Sequence, residues 1–140
     1  MNGIIKKIGL VVMVLIVFGG SAWGGWFSFE PNVILLNGTS VAMELGDLEK
    51  ENAYIKKGDM EQAKNLIKDS KVHIVKDEKF QTRVEYVDYE EREGSIFIRV
   101  KNESGSKLWA NMAGLACKGE DGIQRGVTKE DLIKGEFVPL

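Results

Sequence analysis

Few residues in this 140-residue chain could do chemistry, and their spacing decides which kinds remain. His73 is the single histidine and Cys117 the single cysteine. A histidine acts as a general base only with a partner and a cleft. His73 lies among alternating apolar residues, which reads as an ordinary strand position. A Cys117–His73 nucleophilic pair is conceivable, but Cys117 reads first as a small buried apolar residue and next as the site of an intermolecular disulfide. One thiol can form no internal disulfide and no cysteine-based zinc site. The acidic run Asp88, Glu90, Glu91 and Glu93 has the wrong pattern for calcium. It lacks alternating Asp/Asn and an internal glycine, and Arg92 interrupts it. No phosphate loop or zinc motif is present, so no catalytic residue, metal or cofactor is expected and the chain reads as a non-enzyme. The side chains suited to binding are aromatic. Tyr86, Tyr89, Phe97 and Trp109, beside Glu90 and Glu91 of the acidic run, are the aromatics expected on or near the surface. The competing reading makes Phe97 and Trp109 core residues, or residues facing a helical pair.

These residues need elements to hold them. Val41, Leu45, Leu48 and Ile55 fall at offsets of 4, 7 and 14, one face of a helix that Thr39 or Ser40 could cap. Gly58 suits a left-handed helix end. Asp59 with Gln62 three residues on opens a second helix bearing Met60, Ala63, Leu66 and Ile67. Residues 41–69 are therefore expected to form a helical hairpin with a two-residue hinge. Before it, 32–37 is a short apolar run ending in the turn signal Asn37-Gly38.

From Lys71 the apolar period changes to two. Val72–Ile74, Phe80–Val87, Ile96–Lys101 and Leu108–Met112 each alternate. Polar joints separate them at 76–79, 88–94 and 102–106. A last strand is expected around Cys117, and Thr128 to Asp131 should cap one helical turn. The fold class is α+β, mainly β: a helical hairpin followed by a small antiparallel barrel. The region 30–140 is read as one domain.

The N-terminus carries a separate signal. Lys6 and Lys7 precede an apolar run, and no charged residue occurs from Ile8 to Phe29. Ile8–Phe18 has the length of a secretory core, and Gly20-Ser21-Ala22 offers small residues for a cut after Ala22. Residues 1–22 are thus read as a signal peptide. The alternative is a retained membrane anchor over 8–29, long enough to cross a bilayer, with Trp23, Trp26 and Phe27 at its interface. Either way the lysines stay inside and the remainder lies outside the cytoplasm. Without Lys6 and Lys7, 17 basic residues face 21 acidic ones. That balance offers no electrostatic case for nucleic acid.

The stretch KVHIVKDEKFQTRVEYVDYEEREGSIFIRVKNESGSKLWANMAGL, 71–115, resembles bacterial SH3-like domains. Ile98, Val100, Gly105, Trp109 and Leu115 match their strand, hairpin and closing positions. GDMEQAKNLIKDSKV is similar to the helical lead-in of small exported bacterial proteins with such barrels. The chain departs from the pattern in Leu108, where a glycine is usual, and in its acidic 88–93 segment. The resemblance implies an SH3-like barrel in a periplasmic or extracellular module that binds a peptide, a cell-wall component or an envelope protein, with Tyr86, Tyr89, Phe97 and Trp109 beside Glu90 and Glu91 as the expected ligand groove. Other implied roles are a membrane-anchored accessory subunit and a small inhibitor of an envelope enzyme.

Overall fold

The computed structural model describes residues 29–76 and 82–140. The expected leader at 1–22, the anchor up to residue 28 and the strand position Phe80 lie outside the described residues. The described chain is mostly β, with three helices on a curled half-barrel of eight antiparallel strands. In chain order these are β1 (Val33–Leu35), β2 (Ser40–Ala42), α1 (Leu45–Lys57), α2 (Met60–Lys68), β3 (His73–Ile74), β4 (Thr82–Arg92), β5 (Ser95–Lys101), β6 (Lys107–Asn111), β7 (Leu115–Lys118), β8 (Gln124–Gly126) and α3 (Lys129–Lys134). A 3-10 turn, Met112–Gly114, joins β6 to β7. The strand order is β3-β2-β6-β5-β4-β1-β7-β8.

That order explains the curl. β1 pairs with β4 and β2 pairs with β6, so the β4–β5–β6 meander lies between them. A flat sheet would hold β1 and β2 about 19 Å apart at four strand spacings. The link from Leu35 to Ser40 reaches about 17 Å when fully extended. It is shortened further by a turn closed by Thr39 N–H on the Leu36 carbonyl, with Gly38 at φ 89°. The meander must therefore bend.

The bend gives the sheet two differently covered faces. Val84, Ile98, Val100, Ala110 and Leu115 fill the concave side, closed by Leu132 of α3 and by Phe137. On the convex side Leu45 and Leu48 of α1, with Leu66 of α2, pack on Ala42, Val72 and Phe97. Residues alternate between these faces along β5 and β6, as the period of two requires.

In β4 the alternation changes phase. The register against β5 shifts between Tyr86 and Asp88, leaving Val87 as a bulge. Beyond it Tyr89 opposes Ile98 on the concave face, while Asp88 and Glu90 oppose Arg99 and Phe97 on the convex face. The acidic segment 88–92 is therefore strand, and the expected loop over 88–94 shrinks to a tight turn. Glu93 at φ 50° and Gly94 at φ 81° make that turn, and two successive positive φ values match the right-handed twist of a hairpin.

The helical hairpin forms with the expected hinge. Gly58 ends α1 in the left-handed conformation, and the Asp59 carboxylate accepts from Gln62 N–H at 3.3 Å. Its start differs: Val41 belongs to β2, and α1 begins at Leu45. Val41 is buried on the concave side, and Ile55 is 47% exposed. Ser40 Oγ donates to Glu51 Oε2 at 3.1 Å and Asn52 Nδ2 to Asn111 Oδ1 at 3.1 Å, fastening α1 to the sheet.

Candidate functional site

The six residues expected to form one groove do not form one. Tyr86 and Tyr89 pack against the concave core, whereas Phe97 and Trp109 belong to the convex one. Phe97 is 2% exposed beneath the helical hairpin. Trp109 is half-buried, with the Arg99 guanidinium 5.4 Å from its ring centroid. Asp88 fixes that guanidinium through two bonds of 3.0 and 2.5 Å. Tyr86 donates its hydroxyl to the Leu132 carbonyl at 3.1 Å and packs its ring 5.2 Å from Phe137. Burial beside Asp88 and Tyr89 pushes its phenol up to about 12. Glu90 pairs with Arg92, and Glu91 with Lys129 at 3.0 Å. The sheet thus separates the two aromatic pairs, and the two glutamates are spent on ion pairs. The alternation of β5 and β6 sets Phe97 and Trp109 on the face opposite Tyr86, and the Val87 bulge returns Tyr89 to the side of Tyr86.

Among the described residues, His73 and Cys117 lie on strands that are not neighbours in the sheet. His73 is exposed on the two-residue strand β3, opposite Val41 of β2. Cys117 is buried in β7, on the other side of the strand order. Among the described residues no group of three or more His, Cys, Asp and Glu side chains could hold a metal ion.

A cleft does form elsewhere, at the end of the half-barrel covered by α3. It measures about 710 Å³, within the range of small-ligand sites. Cys117, Phe137 and Val138 supply its apolar lining. Lys118, Arg125 and Lys134 line it with Glu120, Asp121, Asp131 and Glu136. Three local structures place these groups. The β7–β8 hairpin holds Cys117 opposite Arg125. A loop at its tip, with Gly122 at φ 83°, carries Glu120 and Asp121. Helix α3 starts at Thr128, whose side chain and backbone N–H exchange hydrogen bonds with Asp131 in a capping box.

The electrostatics of the cleft are those of a fixed frame. Arg125 makes a bidentate pair with Asp131 at 2.7 and 3.0 Å. That pair, against the opposing effect of burial and with help from Thr128, holds the Asp131 carboxyl well below the usual carboxylate range. Burial pushes the Cys117 thiol up; the Arg125 charge opposes this and Asp131 adds to it. A thiol held protonated is a poor nucleophile. With Arg125 and Asp131 engaged together, two lysines face three other carboxylates, one of which, Asp121, also accepts from Ile123 N–H at 3.0 Å.

The sequence pointed to the Thr128–Asp131 cap but not to the cleft. Its walls come from 117–125, which reads as the end of a strand and a loop, and from 131–138, which follows the Thr128 cap. No single motif joins Phe137 to Cys117. A second recess of about 120 Å³, between α1 and the β4–β5 turn, has Phe97 in its lining and is bridged by Arg92 and Glu49 at 2.8 Å. No described helix is long and apolar enough to cross a membrane. No protein-family model, no curated protein and no solved structure matches the chain.

Proposed function

We propose that the chain is a non-catalytic, extracytoplasmic binding module of the bacterial cell envelope, built on an SH3-like barrel. It takes an extended peptide segment of an envelope partner in the Cys117–Phe137 cleft. The cleft carries this reading: an open, mostly polar trough with charges of both signs and an apolar strip at Phe137 and Val138, whose one thiol is buried and held protonated and whose Arg125–Asp131 pair is closed on itself. Such a surface can hold a ligand and orient it, but offers little to turn it over.

Support for the SH3-like architecture is topological. The meander β4–β5–β6 is flanked by β1 and β2, which four residues connect. The β5–β6 hairpin turns with Gly105 at φ 91°, within the joint 102–106, and a 3-10 turn, Met112–Gly114, precedes β7. Trp109 and Leu115 stand on β6 and β7. Location outside the cytoplasm rests on the Lys6-Lys7 and Ile8–Phe18 pattern.

Amide spectra of the isotope-labelled protein, titrated with short synthetic peptides carrying an aromatic side chain, test the proposal. Shifts should concentrate at Gly119, Phe137 and Val138. A Lys134→Glu change on the rim should alter affinity at least threefold without moving the thermal midpoint. Shifts that gather on Arg99 and Trp109 instead would discard the cleft as the site.

A further inference from the structure

The helical hairpin has an outer surface that neither the sheet nor the cleft uses. Along α2, Met60, Lys64, Ile67 and Lys68 stand at offsets of 4, 7 and 8, one strip of a helix. The strip adjoins the side that buries Ala63 and Leu66. Met60 is 50% exposed and Ile67 38%. On α1 the apolar stripe runs from Leu48, fully buried, to Ile55, which is 47% exposed beside the hinge. Lys56 and Lys57 close α1, and Lys71 follows α2.

Charge on this surface is arranged differently from charge elsewhere. Arg92, Arg99, Lys101, Arg125 and Lys129 are each tied to a carboxylate. Among the described residues Lys56, Lys57, Lys64, Lys68 and Lys71 form no ion pair, and all five are exposed. Asp59 uses its carboxylate to cap α2. Glu61 and Asp69 are the other acids of the segment 55–71, so five lysines face three acids in a chain of net charge −2.

We propose that the α1–α2 hairpin docks its hinge end and this strip on an anionic phospholipid bilayer, with Met60, Ile67 and Ile55 set among the headgroups. The inference goes beyond the cleft and does not depend on it.

Charge complementarity carries it. Each lysine near an anionic bilayer contributes roughly fivefold in partitioning. Apolar side chains that enter the headgroup boundary then hold the surface in place. Lysine stems lie along such a boundary while their ammonium groups stay in the wet phosphate layer. An acidic protein partner would be gripped better by the guanidinium fork of arginine, and neither α1 nor α2 contains an arginine. Diffuse lipid charge needs no fixed fork. Exposure alone does not mark the site. Met43 is 63% exposed but sits at the other end of α1, beside Glu44 and Asp47, where an anionic surface is repelled.

Methyl spectra of the full chain on bicelles carrying a spin-labelled lipid test the proposal. On bicelles one-third phosphatidylglycerol, the Met60 methyl should broaden roughly threefold or more beyond that of Met43. The difference should vanish on phosphatidylcholine alone, and in half-molar salt, where the Debye length falls to about 4 Å. A retained anchor over 8–29 would hold the chain to both lipids alike, so the lipid-dependent difference at Met60 is the readout. Ile67→Gln should weaken it. Lys56→Gln/Lys64→Gln/Lys68→Gln should remove it while the thermal midpoint stays in place, because all three side chains are exposed. Equal broadening of Met43 and Met60, or of Met60 on both lipids, overturns the proposal. A Met60 signal that stays sharp on both also overturns it, and a polyglutamate peptide that then shifts the Lys64 and Lys68 amides would assign the patch to an acidic protein instead.

Discussion

The two faces of the sheet are built from the chain in different ways. The concave core draws on β1, β2, β4, β5, β6, β7 and α3, so its contacts join distant parts of the sequence. The convex core comes almost wholly from residues 42–72, closed by Phe97 and Trp109 of the meander. One is assembled by topology and the other by a local helical pair laid onto a finished sheet. Local contacts cost less chain entropy to form, and local units can open without the whole. The cleft sits at the end of the first region, framed by α3 and the Arg125–Asp131 pair. Its frame is tied to the non-local core through Cys117 and α3, and the helical hairpin does not enter its lining.

Adjacent residues on β5 separate the two regions. Phe97 points under the hairpin and Ile98 into the concave core, and both are at most 2% exposed. Phe97→Ala should cost about 3–5 kcal/mol, and Ile98→Ala about 2–5 kcal/mol. Denaturant midpoints measure the totals, and amide hydrogen exchange assigns them. Phe97→Ala should accelerate exchange chiefly in α1 and α2, and Ile98→Ala throughout the strands. Identical exchange patterns would make the two cores one cooperative unit and dissolve the distinction.

The same contrast governs what could be read from the sequence. The hairpin hinge at Gly58-Asp59, the alternation of β5 and β6 and the Thr128 cap are local, and each has a local signature. β2 was hidden because Val41 also fits helical spacing with Leu45 and Leu48, and three residues are too few for a period to show. β8, Gln124–Gly126, is exposed throughout and offers no apolar alternation. The Val87 bulge broke the period of β4, so its acidic half resembled a loop. The aromatic groove failed for the same reason. Which face Tyr89 shares with Tyr86 depends on one unpaired residue, and which side Phe97 serves depends on where the hairpin docks. The cleft depends on tertiary closure: 117–125 meets 131–138 through the docking of α3 on the half-barrel and the Arg125–Asp131 pair.

A smaller effect is expected where the link between β1 and β2 crosses the 3-10 turn. Thr39 Oγ1 donates to the Gly114 carbonyl at 3.2 Å, and a methyl at residue 114 would collide with the Thr39 side chain. Gly114→Ala should lose about 1–3 kcal/mol through this overpacking. Adding Thr39→Ala removes Cγ2 and Oγ1 and should recover part of that loss. A strictly additive pair would mean that the crossing is loose, and that the curl rests on strand pairing alone.

The smallest effect concerns the closure of the concave core by α3. The Tyr86 hydroxyl donates to the Leu132 carbonyl, and the folded protein holds this phenol up to about 12, against an ordinary value of 10.0. The unfolded chain therefore gives up this proton first as pH rises. The stability that Tyr86 contributes is complete below pH 10 and drains away between 10 and about 12. Tyr86→Phe keeps the ring beside Phe137 and removes the donor. It should cost about 0.5–1.5 kcal/mol at neutral pH. It should also flatten the stability profile between pH 10 and 12 relative to the native chain, measured by urea unfolding across that window. The hairpin side supplies the control. Leu66 packs on the convex core, and Leu66→Val, which removes no ionisable group, should leave the alkaline slope unchanged. Equal flattening by both substitutions would show that alkaline loss is a property of the whole fold, with no special hold of α3 on the concave face.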